Sequence, residues 1–145
     1  MSLKFSPFIV LLTILVACQP KGLKEIYESE MKEIGNVGLI AIHVDERETF
    51  AIVIGAKDGE TTASAIPYEK SGGDWQRQIG IGCDGGTAVT KLSGDLAIYC
   101  GTFTPERPYS KATVGTDEAT IIDLGAGYRV WYVVSQWGLK AEFGN

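Results

Sequence analysis

Short runs of β-branched and aromatic residues, separated by polar or glycine-rich turns, fill most of the chain after Gly35. Within these runs apolar residues tend to alternate with other residues, which is the side-chain repeat of a β-strand. The candidate strands are residues 37–44, 49–55, 78–83, 87–92, 96–103, 111–114, 120–124, 128–135 and 139–143. Eight or more short strands with frequent turn signals predict a mainly β protein, a small antiparallel β-sandwich or barrel.

One segment nearer the N-terminus has the period of an amphipathic helix instead. Apolar residues recur there at steps of three and four, with charged residues on the opposite side; the apolar positions are Leu23, Ile26, Tyr27, Met31 and Ile34. Gly35 stands where a left-handed C-terminal cap would end this helix. The sequence therefore predicts one N-terminal amphipathic helix in a single β-rich domain, residues 23–145, after a short tether, residues 18–22.

The first 17 residues have the order of an export signal. Lys4 gives a positive start, and residues 5–16 form an almost unbroken apolar run before the polar Gln19. This run is too short for a helix that crosses a bilayer core, which needs roughly 20 residues. It also has no polar face, which a surface helix of a globular domain would have, so residues 1–17 are predicted to be a signal peptide.

The end of this run, Leu15-Val16-Ala17-Cys18, resembles the lipobox of bacterial lipoproteins. The resemblance implies that signal peptidase II cuts before Cys18, whose thiol takes a diacylglycerol and whose amine is often acylated as well. Such anchoring is stable, because each buried methylene contributes about 0.8 kcal/mol. The protein would be exported and lipid-anchored. Gln19 after the cysteine implies the outer membrane in a Gram-negative envelope, and a Gram-positive cell would carry the protein on its surface.

The charge balance limits the partners of the domain. The chain has 13 Lys plus Arg against 18 Asp plus Glu, a formal net charge of −5, and loss of Lys4 with the signal peptide makes it more acidic. An acidic surface repels phosphate backbones and anionic headgroups, so no nucleic acid partner is expected and the acyl chains must bind the membrane. An envelope protein or polymer is the other partner class.

Lipidation of Cys18 would leave Cys83 and Cys100 as the only pair among the three cysteines. Export makes a disulfide between them chemically reasonable, and closing a loop of this length contributes about 3 kcal/mol in the chain-entropy model. The alternative is two buried free thiols. A bridge would join strands separated by the 87–92 strand, so it favours a chain reversal between two sheets, or a barrel, over one flat sheet.

Neither a catalytic nor a metal-binding motif is predicted. Residues 80–85 match the spacing GxGxxG, but that fingerprint needs a strand running into a helix, and β-forming residues follow here, so no nucleotide or other cofactor is expected. CxxC and EF-hand spacings are both missing, so no metal site is predicted. A carboxylate near His43 could make a general base, or the same segment could be a solvated strand end; its acidic residues are Asp45, Glu46 and Glu48.

The candidate strand 128–135 is bulky on both alternating faces, and one face carries Arg129 and Trp131. Such a strand is either covered on both sides, with the N-terminal helix as the available cover, or exposes a surface for a partner. Trp, Tyr and Arg are the typical anchors of partner surfaces. Trp137 falls at a predicted turn, where a side chain is more often exposed than in the middle of a strand. Arg129, Trp131 and Trp137 are therefore the predicted partner-binding residues, and His43 is expected to be dispensable.

Two classes of function follow from these features. The first is a non-catalytic binding module of the envelope; Leu96-Ala97-Ile98-Tyr99 and Tyr128-Arg129-Val130-Trp131-Tyr132 resemble segments of small extracellular β-domains of bacteria, a resemblance that implies no activity. The second is inhibition of a cationic cell-wall hydrolase, because lipoproteins of the lysozyme-inhibitor type are similar in size, strand content and acidity. Ser93-Gly94 followed by Tyr99-Cys100 partly matches their pattern, with different spacing. A small envelope enzyme is the least favoured alternative.

Overall fold

A computed structural model describes residues 21–145. The predicted signal peptide, Cys18 and most of the predicted tether lie outside the described residues. Residues 21–145 contain one α-helix, α1 (Leu23–Glu33). Nothing helical in that range has the length and hydrophobicity that a bilayer crossing would need.

Helix α1 forms where the apolar repeat predicts it. The side chains that it buries are Leu23, Tyr27 and Met31. At its end the Gly35 N–H donates to the Lys32 carbonyl at 3.2 Å and the Asn36 N–H donates to the Met31 carbonyl at 2.9 Å. This pair of hydrogen bonds is a Schellman cap, which requires a residue with positive φ at the position of Gly35 (φ +85°). The predicted glycine cap is confirmed.

The described chain continues in twelve short strands. They are β1 (Leu39–Glu46), β2 (Phe50–Lys57), β3 (Ser64–Ser71), β4 (Asp74–Arg77), β5 (Ile81–Gly82), β6 (Ala88–Lys91), β7 (Leu96–Phe103), β8 (Lys111–Val114), β9 (Asp117–Glu118), β10 (Thr120–Gly125), β11 (Tyr128–Gln136) and β12 (Ala141–Gly144). The front sheet has the order β1-β2-β3, and both β4 and β5 pair with β3. The middle sheet has the order β10-β11-β7-β6, and the back sheet the order β12-β8-β9. All these pairs are antiparallel.

The helix and the three sheets stack as four layers around three cores. Helix α1 covers the outer face of the front sheet, where Tyr27 packs with Val53. The front and middle sheets face each other across a core that contains Ile52 and Ile98. The back sheet covers the other face of the middle sheet, with Trp131 buried between them. The fold is therefore mainly β, a small antiparallel sandwich with one N-terminal helix, as the sequence predicts.

A disulfide joins the front sheet to the middle sheet. Cys83 directly follows β5 and Cys100 lies within β7, and their Cα atoms are 5.3 Å apart. Both residues are fully buried in the core between the two sheets. The predicted Cys83–Cys100 bridge is confirmed. Of the two arrangements that it favours, a chain reversal between sheets and a barrel, the structure has the first.

Three strands have no counterpart among the candidate strands: β3, β4 and the two-residue β9. Pro67 in the middle of β3 argues against a central strand, because proline has no backbone N–H to donate. Its carbonyl accepts the N–H of Gln78 at 2.8 Å, in the gap between β4 and β5. In an antiparallel strand the nitrogen of a residue faces the same side as its carbonyl. The side of Pro67 that has no N–H to donate therefore faces the gap between β4 and β5. Strand β3 still pairs with β2 on one side and with β4 and β5 on the other.

Candidate functional site

Trp131 is a core residue. Its side chain is 0% exposed, and its ring makes a T-shaped contact with Phe143 of the back sheet at a centroid distance of 5.5 Å. Its partner across the strands is Gly101, where a Cβ atom would lie 2.7 Å from the indole nitrogen. The prediction that Trp131 lies at a partner surface is therefore corrected. β11 is covered on both faces, by the front sheet on one side and by the back sheet on the other. The predicted cover, the N-terminal helix, packs on the front sheet instead.

Arg129 is half-buried, and its guanidinium is engaged inside the molecule. It donates a hydrogen bond to the backbone carbonyl of Tyr109, and it lies over the Phe103 ring, 5.5 Å from the centroid. Arg129 also stands near the start of β11, whereas Trp137 follows its end. Trp137 is eight residue steps further along the chain than Arg129, a distance of roughly 26 Å in an extended strand. The structure therefore does not bring the predicted partner-binding residues together on one surface.

Trp137 is the predicted residue that reaches solvent, with 51% of its surface exposed. It lies in the turn after β11, and its backbone N–H donates to the Asp95 carbonyl at 2.7 Å. The buried Tyr99 hydroxyl holds the rest of the turn: it donates to the Gln136 carbonyl at 2.7 Å and accepts from the Leu139 N–H at 3.1 Å. An exposed indole is thus carried on a turn whose backbone is fixed on both sides.

Two further apolar side chains are exposed at the same end of the middle sheet. Leu139 is 39% exposed and lies against Gly115, in the turn between β8 and β9, where a Cβ atom would come within 2.9 Å of Cδ1 of Leu139. Leu96 is 38% exposed and pairs with Gln136, the residue before Trp137. Leu96 shares a face of β7 with Ile98, toward the front sheet, whereas Leu139 lies on the side of the back sheet, so we use the name Trp137 patch for Trp137 and Leu139 alone. Exposed aromatic and aliphatic groups on a rigid support are a common form of partner-binding surface.

A second candidate is a chain of polar side chains between β1 and β11. The Tyr132 hydroxyl lies 2.9 Å from Nε2 of His43 and donates to Asp45 at 3.0 Å, while Arg47 pairs with Asp45 at 3.1 Å. Burial raises the pKa of Tyr132 to about 12, so its hydroxyl stays protonated as a donor. Burial also tends to raise the pKa of Asp45, but hydrogen bonds from Arg47 and Tyr132 outweigh it and the pKa is lowered. The carboxylate of Asp45 is therefore held in its charged form.

A β-bulge aims His43 into this chain. The pairing of β1 with β2 shifts between Ala41 and His43, which leaves Ile42 as an extra residue. Ala41 faces the helix, but Ile42 and His43 both turn to the middle sheet. A regular strand would have turned His43 to the helix side, because side chains alternate. Periodicity could not reveal the contact with Tyr132, since the bulge breaks the period and the partner is 89 positions away.

The remaining motifs considered from the sequence form no further cluster in the described chain. Residues 80–85 run through β5 into a turn, and no helix follows them. Within residues 21–145, no group of three or more His, Cys, Asp or Glu side chains is arranged to hold a metal ion. The Trp137 patch and the polar chain of His43 therefore remain as the two candidate sites.

Comparison of the chain with protein-family models, with curated proteins and with solved structures found no match.

Proposed function

We propose that this protein is an exported lipoprotein, anchored to a bacterial membrane through Cys18, and that it acts as a non-catalytic binding module of the cell envelope. The observation that carries the binding role is the half-exposed indole of Trp137 on a turn fixed by three hydrogen bonds. The lipobox sequence at residues 15–18 carries the anchoring role.

The fixed turn favours binding for an entropic reason. A backbone that is already ordered loses little conformational freedom when a partner docks, so more of the contact energy remains as affinity. Tryptophan also offers a large apolar surface with few rotatable bonds. Truncation of such an anchor costs about 2 kcal/mol or more, a roughly thirtyfold loss of affinity.

The surroundings of the Trp137 patch suggest the chemistry of the partner. Asp95 accepts the Trp137 N–H through its backbone carbonyl, and exposed Asp117 accepts a hydrogen bond from Ser135, two residues before Trp137. A partner with an apolar pocket bordered by basic groups would complement this surface. Exposed Lys140 directly follows Leu139, so the two carboxylates and one ammonium group leave the border net acidic by one charge. A net acidic border favours the second candidate function, inhibition of a cationic cell-wall hydrolase.

The binding role is tested by recovery of partners from envelope extracts on immobilised mature protein. We expect Trp137→Ala to reduce recovery of a specifically bound partner about thirtyfold, the loss typical of an anchor residue. Ile79→Ala is the matched control, because Ile79 is an exposed apolar side chain outside the patch. His43→Gln is also expected to keep the partner. Unchanged recovery by a Trp137→Ala variant with a native circular dichroism spectrum would overturn the proposed site.

Purified lysozyme separates the two candidate functions. Inhibition by the wild-type protein, lost in Trp137→Ala and kept in Ile79→Ala, would select the hydrolase inhibitor. Full lysozyme activity in the presence of excess wild-type protein would exclude lysozyme inhibition and would favour the binding of a different envelope partner.

The anchoring role is tested by metabolic labelling with a fatty acid. We expect Cys18→Ala to abolish labelling and to leave uncleaved precursor, because the thiol accepts the diacylglycerol before cleavage. Cys18→Ala with the same label as the wild type would contradict the proposed anchor.

A further inference from the structure

The N-terminus of α1 and the β3–β4 hairpin lie side by side at one end of the front sheet. A groove runs between them, and among its lining residues are Lys21, Leu23, Lys70, Asp74 and Trp75. Trp75 is half-buried, with its inner side against the core under α1. The ammonium group of Lys70 lies over its ring, 5.2 Å from the centroid. This end therefore pairs an amphipathic aromatic ring with exposed lysines.

The tip of the hairpin is small. Gly72 and Gly73 connect Ser71 to Asp74, and their φ angles of +60° and +90° fit a two-residue turn with positive φ at both central positions. No bulky side chain stands on these two residues. A flat surface can therefore approach Trp75 and Lys70 past the turn without meeting a large side chain at its tip.

The proposed lipid anchor, Cys18, is close in sequence to this end of the domain. Lys21 lines the groove and stands only three residues after Cys18. Three residues span at most about 10 Å even when fully extended. The headgroup layer on each side of a bilayer is itself roughly 5 to 8 Å thick. Acyl chains on Cys18 would therefore hold the groove within reach of the headgroups.

We propose that this end of the domain is its membrane-facing surface, with Trp75 at the level of the lipid headgroups and Lys21 and Lys70 against their phosphates. The inference rests on the proposed lipidation of Cys18. Tryptophan prefers the interface because its ring is apolar and its N–H is polar, and lysine extends its charge to the phosphates from an apolar stem. Glu46 and Asp74 also line the groove and offset the two lysines. The acyl chains therefore hold the surface in place, and the net charge of the groove contributes little.

The test is tryptophan fluorescence of the mature, lipidated protein in phosphatidylcholine vesicles, with and without bromine on the acyl chains near the headgroups. Bromine quenches indoles only at short range. We expect bromine-dependent quenching in the wild type, loss of most of it in Trp75→Phe, and full retention in Trp137→Phe. Phenylalanine keeps an aromatic ring against the core, and Trp131, which is 0% exposed, is out of reach of the bromine.

The outcomes separate this inference from the proposed anchor. Failure of the wild-type protein to float with vesicles would contradict the lipidation itself. Flotation with quenching that Trp75→Phe leaves unchanged would overturn the membrane-facing surface while leaving the anchor intact. Flotation with quenching lost in Trp137→Phe instead would assign the bilayer to the Trp137 patch and would also overturn the inference.

Discussion

Trp131 and Trp137 lie six residues apart, one inside β11 and one in the turn after it, yet they have opposite surroundings. Trp131 is 0% exposed between the middle and back sheets, whereas Trp137 is 51% exposed at the end of the middle sheet. Ser135 and Gln136 separate the apolar run that contains Trp131 from Trp137. The difference teaches that the local turn pattern was enough to predict the exposure of Trp137, whereas the burial of Trp131 depends on the back sheet, which the local pattern does not reveal.

The cover over Trp131 is built from distant parts of the chain. Phe103 of β7 stacks on its ring, and Phe143 of β12 meets it edge to face. Gly101 leaves the space that the indole occupies. Trp137 stands beyond this cover, and the Tyr99 hydroxyl and the Asp95 carbonyl fix its backbone instead. One tryptophan therefore serves stability, and the other is available for binding.

The largest expected effect tests directly whether Trp131 and Trp137 differ in their contribution to stability. Trp131→Ala should lower the free energy of unfolding by about 3 to 5 kcal/mol, because it leaves a cavity between two sheets. Trp137→Ala should lower it by only about 1 kcal/mol, because half of the Trp137 surface is already exposed to solvent. Urea unfolding followed by circular dichroism measures both values. Similar losses in the two variants would contradict the contrast between a core and a surface tryptophan.

A somewhat smaller effect is expected on the front face of the middle sheet, which the Cys83–Cys100 disulfide links to the front sheet. Replacing Cys83 and Cys100 together by alanine should lower the free energy of unfolding by about 3 kcal/mol, since the unfolded chain is no longer constrained. Under native conditions, acrylamide should still quench Trp137 and not Trp131, because the back sheet is untouched. An unchanged urea midpoint would show that the bridge contributes nothing to stability.

The smallest expected effect sharpens the account of Trp137. Tyr99→Phe removes the hydroxyl that bonds both Gln136 and Leu139 and should cost about 1 to 2 kcal/mol, at roughly 1 kcal/mol per hydrogen bond. The freed turn should lower the fluorescence anisotropy of Trp137 and weaken partner recovery less than Trp137→Ala does. Tyr128→Phe, at the other end of β11, is the matched control. Equal anisotropy in both variants would mean that Tyr99 does not hold the turn.

Sequence patterns predicted much of the secondary structure, and they did so where the signal is local. The candidate strands 96–103 and 111–114 coincide with β7 and β8, and the helix ends at the predicted glycine cap. The candidate strand 78–83 is shortened to Ile81–Gly82. Strand β3 was missed because Pro67 is compatible with a central position only beside a gap between two neighbouring strands, which the sequence does not display.

The sequence by itself determined a mainly β domain with one N-terminal helix and a chemically reasonable pairing of Cys83 with Cys100, because strand period and helix caps act over short distances along the chain. The structure decided for a sandwich over a barrel and for the disulfide over two free thiols. The tertiary structure alone decided the identity of the cover over Trp131, the separation of Arg129 from Trp137, and the contact of His43 with Tyr132. Each of these depends on which distant strands meet and on a one-residue shift in register at Ile42. Such a shift turns a side chain to the opposite face of a sheet, so the local pattern cannot report its partner.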